Sequence, residues 1–161
     1  MIGSRSRSRE IALQVLYSCD HETAPDQRLW EGTLADAECS SEVRAFAREL
    51  IVGVLSDRAR IDGLIAGAAD NWELSRLAAV DRNVLRLAVH ELLSRPDIPA
   101  KVSINEAIEL GKRFSTAQSG AFVNGLLDRI RRDLGRAVDD SPPVAREAQK
   151  DAAQGPADEA R

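Results

Sequence analysis

The sequence predicts an all-α protein, a compact bundle of six to seven helices. Apolar residues recur at spacings of three and four along most of residues 9–134, and no stretch alternates with the period of two that a strand requires. The composition is aliphatic and Ala-rich with only 4% aromatic residues, which favours helix over sheet. Break signals, among them Pro96, Pro99 and Ser119-Gly120, fall between the periodic stretches. At 161 residues one domain is expected. Such a chain buries roughly two thirds of its unfolded surface without help from disulfides or metal.

Residues 1–8, M-I-G-S-R-S-R-S, are polar and aperiodic and read as a flexible arginine/serine arm. A helical domain over 9–134 follows. Its first helix reaches about Asp20 and carries Ile11, Ala12, Val15, Leu16 and Cys19 on one face. Ala24-Pro25 opens a second, weaker helix with Leu29, Trp30, Leu34 and Ala37, in which Gly32 is a poor helix former. Ser40 or Ser41 caps a third, whose stripe is Val43, Phe46, Ala47, Leu50, Ile51, Val54 and Leu55.

The stripe skips residues 56–60, where a break or kink is expected, and resumes at Ile61, Leu64, Ile65 and Ala68. Asn71-Trp72 marks a turn. Leu74 and Leu77 lead into a strong helix near 78–94, which Pro96 ends. Ser103 and Glu106 fit an S-x-x-E capping box, with Val102 and Ala107 placed as a weak staple, so the next helix is expected over 103–115. Ala107, Ile108, Leu110 and Phe114 line its inner side. After Ser119-Gly120 a last helix carries Phe122, Val123, Leu126, Leu127, Ile130 and Leu134. Residues 135–161 are rich in Ala, Asp, Glu, Gln and Pro and almost lack large apolar side chains. They do not offset an ordering cost of about 1–2 kcal/mol per residue, and read as a disordered acidic tail, with at most a helical turn or two around Val144–Ala153.

Catalysis finds no constellation. His21 and His90 are the two histidines. His90-Glu91 begins like H-E-x-x-H, but Ser94 stands where the second zinc ligand belongs. No Gly-rich phosphate loop or G-x-S-x-G is present, and Asp139-Asp140 lies in the tail. The expectation is a protein that is not an enzyme and uses neither cofactor nor metal. Cys19 and Cys39 are spaced like neither a metal clamp nor a redox pair and read as buried free thiols of a reducing compartment. No secretory h-region occurs, and no run approaches the roughly 18 apolar residues of a membrane span. A soluble, cytoplasmic protein with no membrane partner is expected.

The net charge of −4 confines any nucleic-acid site to a local patch. Arg5, Arg7 and Arg9 alternate with serine before the first helix, opposed locally by Glu10 alone. In an extended arm all three follow a phosphate backbone; in a helix Arg5 and Arg9 share a face and Arg7 leaves it. Arginine suits phosphate and base planes alike. Tyr17, two turns on, offers a ring for an unpaired base. Each residue also has a plainer reading: a solvated terminus, a half-buried core aromatic for Tyr17, and a solvated helix face for Arg82 and Arg86, with Asp81 countering the dipole. Asn105 reads as a local backbone partner. Asn124 sits among apolar neighbours and needs a hydrogen-bond partner if buried.

Four blocks together resemble the transcription antitermination factor NusB family. They are R-E-I-A-L-Q-V-L-Y at Arg9–Tyr17, L-A-A-V-D-R-N-V-L-R-L-A-V-H-E-L-L at Leu77–Leu93, D-I-P-A-K-V-S-I-N-E-A-I-E-L-G-K-R-F-S at Asp97–Ser115, and F-V-N-G-L-L-D at Phe122–Asp128. The likeness spans about residues 5–130, and the last two blocks are its specific part. It implies two packed helical sub-bundles and RNA binding in place of catalysis. The implied ligand is the boxA element of nascent ribosomal RNA leaders, bound together with the small-subunit ribosomal protein NusE. The complex would join RNA polymerase through other Nus factors and suppress termination.

The family's arginine-rich start maps onto Arg5, Arg7 and Arg9, and its first-helix tyrosine onto Tyr17. Its RNA-facing loop maps onto Gln118-Ser119-Gly120-Ala121, which lacks the charges often found there. With that loop, Ser119, Gly120, Phe122 and Asn124 complete the expected RNA set. Asp81, Arg82 and Arg86 are the exposed candidates for a NusE face.

Residues 21–41 and the tail lie outside the resemblance. Two other readings remain beside it. One is a helical scaffold that pairs with itself, as a homodimer, or with NusE and hardly touches RNA. The other is a stand-alone relative of the RNA-binding front end of ribosomal RNA cytosine-5 methyltransferases; with no cofactor-binding α/β domain in the sequence, a complete methyltransferase is not expected.

Overall fold

The computed structural model describes residues 2–70 and 73–138. Among these residues there are seven α-helices and no strand. They are α1 (Ser4–Ser18), α2 (Gln27–Asp36), α3 (Ser41–Ser56), α4 (Arg58–Ala68), α5 (Ala79–Ser94), α6 (Ala100–Phe114) and α7 (Ser119–Asp133), with a 3-10 turn at Leu74–Arg76 before α5. None is long and apolar enough to cross a membrane. α1, α2 and α3 pack on one another, α6 packs on α7, and α4 packs on α7. α5 touches both groups, and every residue from Asn83 to Leu92 is buried. The two sub-bundles therefore share one central helix.

Side-chain caps start two of the helices. The side chain of Ser40 accepts from Val43 N at 3.2 Å and starts α3, and that of Asp26 accepts from Arg28 N at 2.9 Å and starts α2. In α2 Trp30 and Leu34 turn inward while Leu29 projects to solvent. The break expected at 56–60 narrows to Asp57, the one residue between α3 and α4. α5 crosses α3 closely: a Cβ on Gly53 would lie 2.1 Å from His90 Cε1, so only glycine lets the imidazole pack there. Burial pushes the His90 pKa down, which keeps the ring neutral. Cys19 is buried and Cys39 half-buried, both as free thiols.

Four expectations need correction. The arginine/serine arm is helical from Ser4, where α1 starts, because its serines find partners. Ser6 Oγ donates to Glu106 Oε1 at 2.7 Å and Ser8 Oγ to Val43 O at 2.8 Å. The capping box at Ser103 does not form. α6 begins three residues earlier, with Val102 N and Ser103 N both bonded to Pro99 O, so the Ser103 side chain is free for another task. Ser119 and Gly120 do not break the chain but form the first turn of α7; the break lies at 115–118.

The tail, finally, is ordered at its start. Gly135 takes φ 71° and reverses the chain. Arg136 then donates to Leu92 O at 3.0 Å and Ile98 O at 2.9 Å, and Lys101 N donates to Val138 O at 3.1 Å. Met1, the Asn71-Trp72 turn and residues 139–161, including Asp139-Asp140 and the turn considered at Val144–Ala153, lie outside the described residues.

The most consequential contact joins α1, α5 and α6. Arg9, 2% exposed, meets Glu91 through Nε–Oε2 at 2.9 Å and Nη2–Oε1 at 2.6 Å. Ser103 Oγ donates to the same Glu91 Oε1 at 3.0 Å, and Glu106 lies 3.7 Å from Arg9 Nη1. Removing one member of such a pair strands a buried charge. R9A should lower stability in urea unfolding by about 3–5 kcal/mol, and R9M combined with E91L should recover part of it.

Candidate nucleic-acid and partner interface

Arg5 and Arg9 share one side of α1, both over the Phe46 ring at 4.6 and 5.8 Å, and Arg7 leaves it, as a helix dictates. Arg5 is exposed and lies over the Phe46 ring at 4.6 Å, on the α3 side. Arg7 is half-exposed, with Nη1 3.1 Å from Glu10 Oε2. Arg9 turns into the core. It is withdrawn as an RNA contact, since its guanidinium is already committed to Glu91. Arg95 also faces Phe46, at 5.3 Å, but Asp97 and Glu49 occupy its donors.

From Arg7 an exposed strip continues along α1 and across the end of α6. Glu10 pairs with Arg113 as well as Arg7. Arg113 lies over the Phe114 ring at 5.0 Å. Phe114 is 39% exposed, because it stands at the last residue of α6, past the packed stretch that ends at Leu110 and Gly111. Tyr17 is 51% exposed, so it is not a core aromatic. Tyr17 and Phe114 line one cavity of about 250 Å3 with Leu13, Gln14 and Val80.

Beside it, a second cavity of about 300 Å3 is lined by Arg76, Leu77, Ala78, Asp81, Thr116, Gln118, Ser119 and Phe122. Asp81 Oδ1 is buried there and accepts no hydrogen bond among the described residues.

The residues expected in and after the loop divide. Ser119 is buried, its hydroxyl within reach of Thr116 Oγ1 at 3.1 Å and Ser115 Oγ at 3.0 Å. Gly120 is buried beneath Lys112, where a Cβ would stand 2.9 Å from Lys112 Cε. Both shape the turn and are withdrawn as direct contacts. Phe122 is half-buried at the second cavity, and Asn124 is exposed, so its polarity needs no core partner. Asn105 is exposed too. Sequence reasoning missed Gln14, Arg76, Val80, Arg113 and Phe114. The K-R-F run at the end of α6 was the available signal, but Phe114 also fits the helical stripe.

Arg82 and Arg86 are not a solvated face. Asp20 Oδ1 accepts from Arg82 Nε at 2.9 Å, Arg86 Nη1 at 2.9 Å and Asn83 Nδ2 at 3.1 Å. Arg86, 4% exposed, also grips Asp62 at 2.8 and 3.0 Å. Arg82 Nη1 donates to Leu74 O and Leu77 O. The two arginines tie the end of α1 and the turn before α5 to α4, so both are withdrawn as partner contacts. Asp81 remains. Burial opposes ionisation of Asp20, but the hydrogen bonds from Arg82 and Asn83 and the two guanidinium charges outweigh it and hold its pKa at about 2.

The family model described as NusB family matches residues 6–132. A transcription antitermination protein NusB of Myxococcus xanthus is 51% identical over 133 residues, covering 80% of this chain and 95% of the relative. The protein of the same description from Geobacter sulfurreducens is 47% identical over 134 residues, covering 83% and 97%. Among solved structures, T. maritima NusB superposes with a TM-score of 0.73 at 41% identity, over 82% of this chain and 93% of that one. A chain from the crystal structure of antitermination factors NusB and NusE in complex with dsRNA gives 0.73 at 25% identity, over 83% and 99%.

The Asp20 cluster generates a pH dependence. The folded pKa near 2 lies below the ordinary 3.8, so the ionised form carries the stabilisation. That contribution is whole above about pH 4 and fades as pH falls through 2. D20N should be less stable than the wild type at neutral pH in chemical denaturation, and the gap should close between pH 4 and 2.

Proposed function

The chain belongs to the NusB family, and from that membership we propose that it is a transcription antitermination factor acting in the cytoplasm. On this reading it binds the boxA element of nascent ribosomal RNA together with NusE and supports transcription of ribosomal RNA operons, reaching RNA polymerase through other Nus factors. It is an RNA-binding protein, not an enzyme.

The observation that carries the RNA assignment is the exposed strip from Arg7 through Arg113, Tyr17 and Phe114 to Phe122. In a protein of net charge −4 it gathers cations and partly exposed aromatic rings on one surface. Arg5 flanks the start of the strip on the other side of α1. Aromatic faces hold unpaired bases and guanidiniums hold phosphates, the usual division of labour for single-stranded RNA.

So small a cationic footprint gives modest affinity alone, because each neutralised phosphate of a single strand contributes a salt slope of only about 0.7. A second protein that extends the footprint raises affinity by joining two weak sites. Asp81 suits that partner. It is half-buried at the second cavity and carries a carboxylate, and a basic ribosomal protein offers ammonium or guanidinium groups.

R5A combined with R7A should weaken boxA binding several-fold in a titration at fixed salt and flatten the slope of log affinity against log salt by about 1.4, the value for two phosphates. Both side chains reach solvent, so the thermal midpoint should hold. Unchanged affinity and slope would overturn the arginine assignment. D81A should leave binding to RNA alone intact and reduce the gain that NusE provides.

A further inference from the structure

We propose that the acidic segment that begins at Asp139 docks on the surface around Arg5 and competes there with RNA phosphates; the inference rests on the RNA-binding reading of Arg5 above and adds an intramolecular partner to it. Val138 fixes where that segment sets out. Its carbonyl accepts from Lys101 N at 3.1 Å, in the first turn of α6, and Arg136 holds the stretch before it to Leu92 O and Ile98 O. The start of α1 lies at the same end of the bundle. Ser6 Oγ donates to Glu106 Oε1, about 7.5 Å along α6 from Lys101. Between Leu92 and Ile98 stands Arg95, which shares the Phe46 ring with Arg5 at 5.3 and 4.6 Å. At about 3.3 Å per extended residue, a short stretch of chain from Val138 spans the gap to Arg5.

Charge selects this occupant. Arg5 is exposed, and among the described residues its guanidinium meets the Phe46 ring and no carboxylate. It borders a hollow of about 280 Å3 with Ser4, Phe46, Glu49 and Arg95, where Arg95 is already taken by Asp97 and Glu49. The first turn of α1 holds no acidic residue and no side-chain cap, so the positive pole of the helix adds to the Arg5 charge. The Arg95 hydrogen bonds hold the Asp97 pKa below its ordinary value, and the Arg5 charge adds to that pull, so its field reaches the turn beside Val138. Residues 139–161 carry six acidic and three basic side chains, and Asp139-Asp140 open the segment. A tethered carboxylate acts at an effective concentration in the millimolar range, so a contact too weak between molecules counts within one. RNA must displace it before a phosphate takes Arg5. The penalty falls on every single strand alike, because phosphate contacts carry no sequence information.

The test keeps the full chain and neutralises the start of the segment by D139N, D140N and E147Q together. In a boxA titration at low salt without NusE, the triple variant should bind about three- to fivefold more tightly, the gain that one or two exposed ion pairs supply. The same three changes made on R5A should give no gain. Without RNA, the Arg5 Nε–H signal in a nitrogen–proton NMR spectrum, identified by its absence in R5A, should shift in the triple variant.

A gain as large on R5A as on the wild type means repulsion by net charge and overturns the docking. No gain, or an unmoved Arg5 signal, overturns it as well; these outcomes leave the RNA-binding reading standing. A shift that grows with protein concentration brings the segment from a second copy and overturns the intramolecular contact. A wild type and a triple variant that both fail to bind boxA RNA overturn the RNA-binding reading and the competition with it.

Discussion

The Arg9–Glu91 pair is the contact on which the rest of the bundle depends. It brings α1 against α5, and through Ser103 and Glu106 it sets α6 as well. A buried charge has few acceptable geometries, so the pair fixes the rotation of α1 about its own axis. With Arg9 pointing inward, Arg5, one turn earlier on the same face, lies over Phe46 at the edge of the core, and Arg7 emerges on the other side beside Glu10. The surface proposed to meet RNA is thus set from inside. A second ionic cluster, built on Asp20, fixes the other end of α1. Held by ions at Arg9 and Asp20 and between them by apolar packing, α1 sets the positions of its exposed side chains.

The helical periodicity and the end of α5 before Pro96 were legible because each rests on local rules: spacing and backbone sterics. What was not legible depended on partners distant in sequence. Ser103 and Glu106 make a persuasive local cap, yet both belong to a tertiary network with Glu91, Ser6 and Arg9. Alternating arginine and serine looks like a solvated arm until Val43 and Glu106 supply the hydroxyls with acceptors. Helix period alone does not distinguish a saturated buried guanidinium from a free one, and Arg9, Arg82 and Arg86 are the buried kind.

The candidate site was half-legible for the same reason. Tyr17 and Phe122 could be named from the motifs that carry the resemblance, and Arg7 from its charge. Phe114 was hidden because its spacing matches the buried stripe of α6, and only its position at the helix end exposes it. Asp81 reads locally as a dipole-countering charge; that it shares a cavity with Thr116, Gln118 and Phe122 depends on packing distant in sequence.

The clasp at Gly135, Arg136 and Val138 decides where the rest of the chain sets out. Val138 is bonded to the first turn of α6, while Phe114 closes the last turn of that helix. The two ends of a 15-residue helix are about 21 Å apart. Whatever follows residue 138 therefore begins well away from the aromatic pocket, with α6 acting as a spacer. Length or composition there could change without covering the strip at its point of departure, and a label attached beyond Val138 would start its path on the far end of the helix that carries Arg113 and Phe114.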